Sequence, residues 1–275
     1  MAAEELKATV LVDNIGKDEI AGEWGLSIWI EYKGKNILLD TGASTLFWEN
    51  AKKLGIDLTK TDYAVLSHAH YDHADGMQYF LQNTNDVKFY LREGCAENCY
   101  AGKWIFHKYI GIPKNTLEPY KDRIIYAKGD DTICDGATLI PHKTPGLEQI
   151  GKKNHMYIKT KYGWKPDDFA HEQSLVFETQ QGLVIFNSCS HAGADNIIKE
   201  VQATYPQKKI KALIGGFHLF GHPQEEVKEL AKRIKETGIE EIYTGHCTGK
   251  HSFAVLQNEL GECVHQLSVG LEMTF

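Results

Sequence analysis

Residues 67–76 read Ser67-His68-Ala69-His70-Tyr71-Asp72-His73-Ala74-Asp75-Gly76, placing three imidazoles and a carboxylate in the spacing H-x-H-x-D-H. Imidazole nitrogen and carboxylate oxygen are ligands suited to zinc, manganese or iron. In an extended loop alternate side chains point the same way, so His68 and His70 can share one ion while Asp72 and His73 face a second beside it. The apolar run Tyr63-Ala64-Val65-Leu66 reads as a short buried strand that ends where the histidines begin. A strand end feeding a loop is a rigid platform for such a site. The chain holds 13 histidines in 275 residues, but strand, spacing and the trailing Asp75-Gly76 turn agree on metal binding rather than a chance cluster.

More ligands must come from distant strand ends, and three segments offer them. Phe186-Asn187-Ser188-Cys189-Ser190-His191-Ala192-Gly193, Ile214-Gly215-Gly216-Phe217-His218-Leu219 and Ile242-Tyr243-Thr244-Gly245-His246-Cys247-Thr248-Gly249 each follow an apolar strand. Each puts a histidine beside small residues at the carboxyl end of a strand, where ligands sit in open α/β sheets.

These residues together resemble the metallo-β-lactamase superfamily, whose signature is H-x-H-x-D-H after a buried strand. Asn36-Ile37-Leu38-Leu39-Asp40-Thr41-Gly42 fits its L-D-x-G turn. The resemblance implies that Asp40 accepts the free N–H of a ligand histidine. Glu172-Gln173-Ser174-Leu175, Cys189 to Gly193, Gly215 to Leu219 and His246 to Gly249 further resemble the branch named for dihydropterin–ribofuranosylaminobenzene-phosphate synthase. The chain departs from the commoner T-P-G-H turn at Thr144-Pro145-Gly146-Leu147, because leucine cannot ligate. Either His191 or His171 must fill that place, and the branch's C-S-H motif favours His191. Cys189 falls near the usual bridging aspartate and is a possible ligand.

The resemblance implies a four-layer αββα sandwich of α/β (α+β) class, and two divalent ions, zinc first and manganese or iron as alternatives. His68, His70 and His191 would hold one ion; Asp72, His73 and His246 the other. The expected activity is attack of a metal-bound hydroxide on an ester, phosphoester, lactone or amide. Asp72 would orient the nucleophile, and His218 would donate to the developing oxyanion. A pterin–arylamine synthase chemistry is the alternative. A di-iron redox protein or a metal-bearing sensor is a further one, although His70 stands where di-iron sites usually place a carboxylate.

Composition bounds the setting. The chain is 42% hydrophobic, carries a net charge of −7 and has a sequence pI near 6.0, which argues against a general nucleic-acid binder. No run approaches the roughly 18 apolar residues of a membrane span. The polar start Met1-Ala2-Ala3-Glu4-Glu5-Leu6-Lys7 does not read as a secretory signal. Six scattered cysteines then read as free thiols in a reducing cytoplasm.

Strands and helices alternate in both halves, as stacked sheets with outer helices require. Expected strands run over 8–12, 26–32, 37–39, 87–91, 174–178, 183–186, 210–214, 242–244 and 263–267. Expected helices run over 44–54, 76–81, 194–204, 223–237 and 253–260. One domain spans 1–275, with an inserted lid-like region at about 92–168 of poor periodicity. Residues 141–165 hold six lysines against one acid, Glu148. Lys152, Lys153 and Lys159 would there attract an anionic small-molecule substrate.

Overall fold

In the computed structural model, residues 6–103 and 106–275 are described, so the first five residues of the polar N-terminus lie outside. Two seven-stranded sheets face one another. The first has the order Glu272–Thr274, Leu6–Val12, Ser27–Tyr32, Lys35–Leu39, Tyr63–Val65, Lys88–Arg92, Ile124–Ala127. The second runs Val264–Gln266, Glu241–Thr244, Ile210–Gly215, Gly182–Phe186, Gln173–Thr179, Ala137–Pro141, Asp131–Cys134.

The strands are apolar on both faces because both faces are covered. Ile28 and Ile30 pack between the sheets while Trp29 packs outward against Phe47 and Phe80. Val184 and Phe186 likewise face the other sheet, whereas Leu183 and Ile185 meet the outer helices through Ile197, Ile198 and Leu230. The helices Leu46–Lys53 and Met77–Asn83 cover the first sheet; Ala194–Thr204, Gln224–Glu236 and Lys250–Leu260 cover the second. The expected four-layer αββα sandwich is the fold observed.

The expected lid region needs redrawing. Ile124–Ala127, Asp131–Cys134 and Ala137–Pro141 belong to the two main sheets, so 92–168 is not one insertion. Their brevity, at four or five residues each, hid them from a periodicity reading. What stands apart is a small sheet of order Gly163–Pro166, Met156–Thr160, Cys99–Lys103, Phe106–Tyr109, together with the helix Leu147–Lys153. The chain leaving this sheet reaches the histidine loop: Tyr71 N–H donates to the Ile110 carbonyl at 2.8 Å, and His70 bridges Gly111. No helix among the described residues is long and apolar enough to cross a membrane.

Candidate metal centre

The parallel strands of both sheets deliver their carboxyl ends to one place. Tyr63–Val65 leads into His68, Gly182–Phe186 into Cys189 and His191, Ile210–Gly215 into His218, and Glu241–Thr244 into His246. The sheets sit close enough there for one strand to pin the other's loop. Gln173 donates its backbone N–H to the Ser67 carbonyl and its side-chain amide to the carbonyls of Leu66 and Tyr90.

Several overlapping groups of buried donors result, among them the two expected sets and a group of His70, Cys99, Asp167 and His171. His68, His70 and His191 are buried and offer ligand atoms all within 4.8 Å of one another. The Nε2 atoms of these three side chains have no hydrogen-bond partner among the described residues. In the second set, His246 Nε2 lies 3.2 Å from His73 Nε2 and 3.4 Å from Asp72 Oδ2. The sets are neighbours, with the His68 and His73 rings 4.2 Å apart. Burial, and then the surrounding imidazoles, hold His68 and His70 well below the ordinary histidine range, so both are neutral and have a lone pair to offer. Burial alone would raise the Asp72 carboxyl, but the imidazoles of His73 and His246 outweigh it and keep Asp72 ionised.

Outer partners fix these rings. Asp40 accepts from His73 Nδ1 at 2.8 Å, from Ser67 N–H at 2.7 Å and from Ser67 Oγ at 2.7 Å. Ser67 Oγ in turn lies 2.8 Å from His68 Nδ1, so one carboxylate steadies a histidine of each set. Asp40 holds a left-handed backbone, φ 59°, to do so. The sequence pointed to Asp40, but it gave no role to Glu172. That buried carboxylate accepts from the His191 N–H at 3.1 Å and is hydrogen-bonded to His191 Nδ1. The oxygen that accepts the backbone N–H also faces His142 Nε2 at 3.0 Å, and His142 Nδ1 meets Glu200 at 3.2 Å. Asp13 and Asn14 were missed as well. Asp13 accepts the His246 N–H at 2.9 Å and Asn14 Oδ1 faces His246 Nδ1 at 3.2 Å. The signal available was a polar pair directly after the apolar strand Leu6–Val12.

His171 is placed differently from His191. Its Nδ1 accepts from the Ala69 N–H at 3.2 Å and its Nε2 pairs with Asp167 at 3.1 Å, so both ring nitrogens are engaged. It braces the H-x-H loop from behind. Leu147, which stands where T-P-G-H has its histidine, is buried among apolar residues, and Thr144 is bonded to Glu200. Cys189 Sγ sits 3.3 Å from His73 Nε2, inside the site. His218 lines a cavity of about 530 Å³ together with His191, Ser190 and Phe217. Burial, then the nearby His191, push the His218 imidazole down to about 3, and its Nδ1 lacks a partner among the described residues.

The lysines converge less than expected. Lys153 borders that cavity but is paired with Glu226 at 3.0 Å. Lys152 and Lys159 lie outside its lining, and Lys159 stands over the Trp164 ring. Asp195, Glu225, Glu226 and Glu229 border the cavity instead. The local surplus of lysine in the sequence is spread over the helix Leu147–Lys153 and the hairpin of Met156–Thr160 and Gly163–Pro166.

A family model for the metallo-β-lactamase superfamily matches residues 25–246. The chain belongs to the metallo-β-lactamase superfamily. It is 26% identical over 274 residues to the 7,8-dihydropterin-6-methyl-4-(β-D-ribofuranosyl)-aminobenzene-5′-phosphate synthase of Methanocaldococcus jannaschii, covering 91% of this chain and 90% of that one. The crystal structure of Tm1679, titled a metal-dependent hydrolase of the β-lactamase superfamily, aligns with a TM-score of 0.82 at 28% identity, over 98% of each chain. Zinc-bound PqqB of Methylobacterium extorquens shares the fold at a TM-score of 0.59 and 10% identity, over 98% of this chain and 100% of that one.

Proposed function

We propose that this superfamily member is a binuclear metal-dependent hydrolase acting on an ester, phosphoester, lactone or amide of a small molecule. The reading is carried by the convergence of three buried, unpartnered imidazole nitrogens on His68, His70 and His191. Each such group costs about 1–3 kcal/mol when left unsatisfied, and a cation shared by all three removes that cost. Imidazoles with one carboxylate suit zinc, with manganese or iron as alternatives. His68, His70 and His191 would hold the first ion; Asp72, His73 and His246 the second. Two ions held there would supply a water acidified toward neutrality and an electrophilic clamp for an oxyanion.

The chain's own residues supply the rest. Glu172 and Asp40 fix the ring orientations of His191 and His73, and with them which nitrogen faces inward. Asp72 accepts a hydrogen bond from the attacking group and orients it. His218, a neutral imidazole with an uncommitted Nδ1, donates to negative charge developing on the substrate. The cavity beside His191 and His218 admits the remainder of the molecule. Its carboxylate-rich wall offers an anion little, so the substrate's negative end would face the metals, with Lys153 at the rim. Six free thiols support a reducing, cytoplasmic setting.

The name of the Methanocaldococcus relative supports a second reading, a transferase of pterin–arylamine synthase type on the same donors. The deciding experiment is a screen of the zinc-, manganese- and iron-reconstituted protein against esters, phosphodiesters, lactones and lactams. Hydrolysis that disappears in Asp72→Asn supports the hydrolase. A fully metallated protein inert to the whole panel would turn the assignment to the synthase.

A further inference from the structure

Two thiols lie among the donor atoms without a part in the chemistry above: Cys189 is within ligand distance of His68 and His73, and both thiols are within that distance of His246. Cys189 and Cys247 are both buried and their sulfurs are 3.4 Å apart. They come from different strand ends, 58 residues apart in the chain. Cys247 follows His246 directly, and Cys189 Sγ lies 3.3 Å from His73 Nε2. The pair is held, not accidental to a loose loop. The His218 N–H donates to Cys247 Sγ at 3.2 Å. A Cβ on Gly216 would meet that same sulfur at 2.4 Å, so glycine is required there to make room for it.

We propose that Cys189 and Cys247 form a reversible disulfide in response to a peroxide, and that closing it weakens the second metal position. The inference rests on the binuclear reading for its consequence, but not for the bond itself. In the first step the Cys247 sulfur attacks a peroxide oxygen and the O–O bond breaks. Cys247 becomes a sulfenic acid, and the departing hydroxide takes the thiol proton and leaves as water. In the second step the Cys189 sulfur attacks Cys247 sulfur and expels hydroxide, which takes the Cys189 proton as a second water. The two sulfurs together lose two electrons, and those electrons reduce the peroxide. A small-molecule thiol reverses the bond by exchange.

The geometry explains why the site would feel the change. A disulfide holds its sulfurs about 2.05 Å apart, so the pair must close by more than an ångström. Cys247 moves with its neighbour His246, whose Nε2 belongs to the second donor set, and Cys189 Sγ starts only 3.3 Å from His73 Nε2, so any shift of either sulfur is felt there. Cys95 and Cys99 lie against His171, Cys99 also within ligand distance of His70, and serve as an internal control outside the second donor set.

The test treats metal-free protein with one equivalent of hydrogen peroxide, followed by non-reducing digestion and mass spectrometry. The expected product is a peptide pair joined through Cys189 and Cys247, lighter by two hydrogen atoms and separated by dithiothreitol. Either single serine variant should abolish it. Sulfinic acid on the separate cysteines, or cross-links that survive in Cys189→Ser, would overturn the proposal. Zinc competition against a chromophoric chelator should show at least one ion bound about tenfold more weakly after oxidation, and recovered after reduction. Unchanged zinc affinity in the cross-linked protein would refute the regulatory consequence. A reduced protein that binds no zinc would instead refute the binuclear reading and leave the disulfide standing.

Discussion

Replacing Glu172 by glutamine tests whether the buried carboxylate sets the metal-facing nitrogen of His191. The carboxylate accepts from the His191 ring and backbone and faces His142 at 3.0 Å. Accepting at Nδ1 keeps the proton there and leaves Nε2 with a lone pair for a metal. Glutamine is nearly isosteric, but one of its two oxygens becomes an NH₂ donor. If that amide faces Nδ1, it favours the other tautomer, in which Nε2 carries the proton and cannot ligate. Losing an outer partner of a metal-binding histidine typically costs 10–100-fold in affinity, about 1.4–2.8 kcal/mol. Zinc competition titrations should therefore show one ion weakened by that factor and the other nearly unchanged. Histidine ¹⁵N spectra of the metal-free variant should show His191 shifted toward the Nε2–H tautomer. Equal affinity for both ions, with the His191 tautomer unchanged and the fold intact, would refute the argument.

Asp40→Asn leaves Ser67 or His73 facing an amide donor, so it should cost about 1–3 kcal/mol in unfolding free energy and weaken zinc at the second set; chemical denaturation with metal titration checks both. His191→Ala should remove one ion from elemental analysis, whereas His171→Ala, which loses its brace on Ala69 and its pair with Asp167, should keep the metal content and lower the melting temperature. His142 sits between two carboxylates. Burial would lower it, but Glu172 and Glu200 raise it to about 9 from 6.5. A folded-state value above the unfolded one gives stability that is fully present below about 6.5 and is lost as pH rises through about 9. Urea unfolding of the metal-free protein between about pH 6 and about pH 9.5 should show that loss, and His142→Gln should flatten it; equal slopes would contradict the assignment.

The sandwich was legible because many of its strands announce themselves as apolar runs of ordinary length, and because the strands ending at Val65, Phe186, Gly215 and Thr244 each carry a histidine shortly past their end. Gln224–Glu236 and Ala194–Thr204 lie close to where their amphipathic patterns place them. The H-x-H-x-D-H loop, His191 and His246 came together as their spacing suggests, because parallel strands bring their carboxyl ends to the same side. The partners beyond them were not legible. Glu172, His142 and Glu200 are separated by up to 58 residues and meet only when the second sheet and its helix pack. Asp13 and Asn14 reach His246 across more than 230 residues. Of the three expected lysines Lys153 alone borders the cavity, because sequence proximity does not tell which way a helix and a hairpin turn their side chains.

The central claim is that two ions are held, one by His68, His70 and His191 and the other by Asp72, His73 and His246. Anomalous diffraction at the zinc edge from crystals of zinc-reconstituted protein tests it directly. The account predicts two peaks, one among each set of donors, with Asp40 and Glu172 still bonded to His73 and His191. A single peak, or zinc held instead on Cys99, Asp167 and His171 with His191 free, would contradict it.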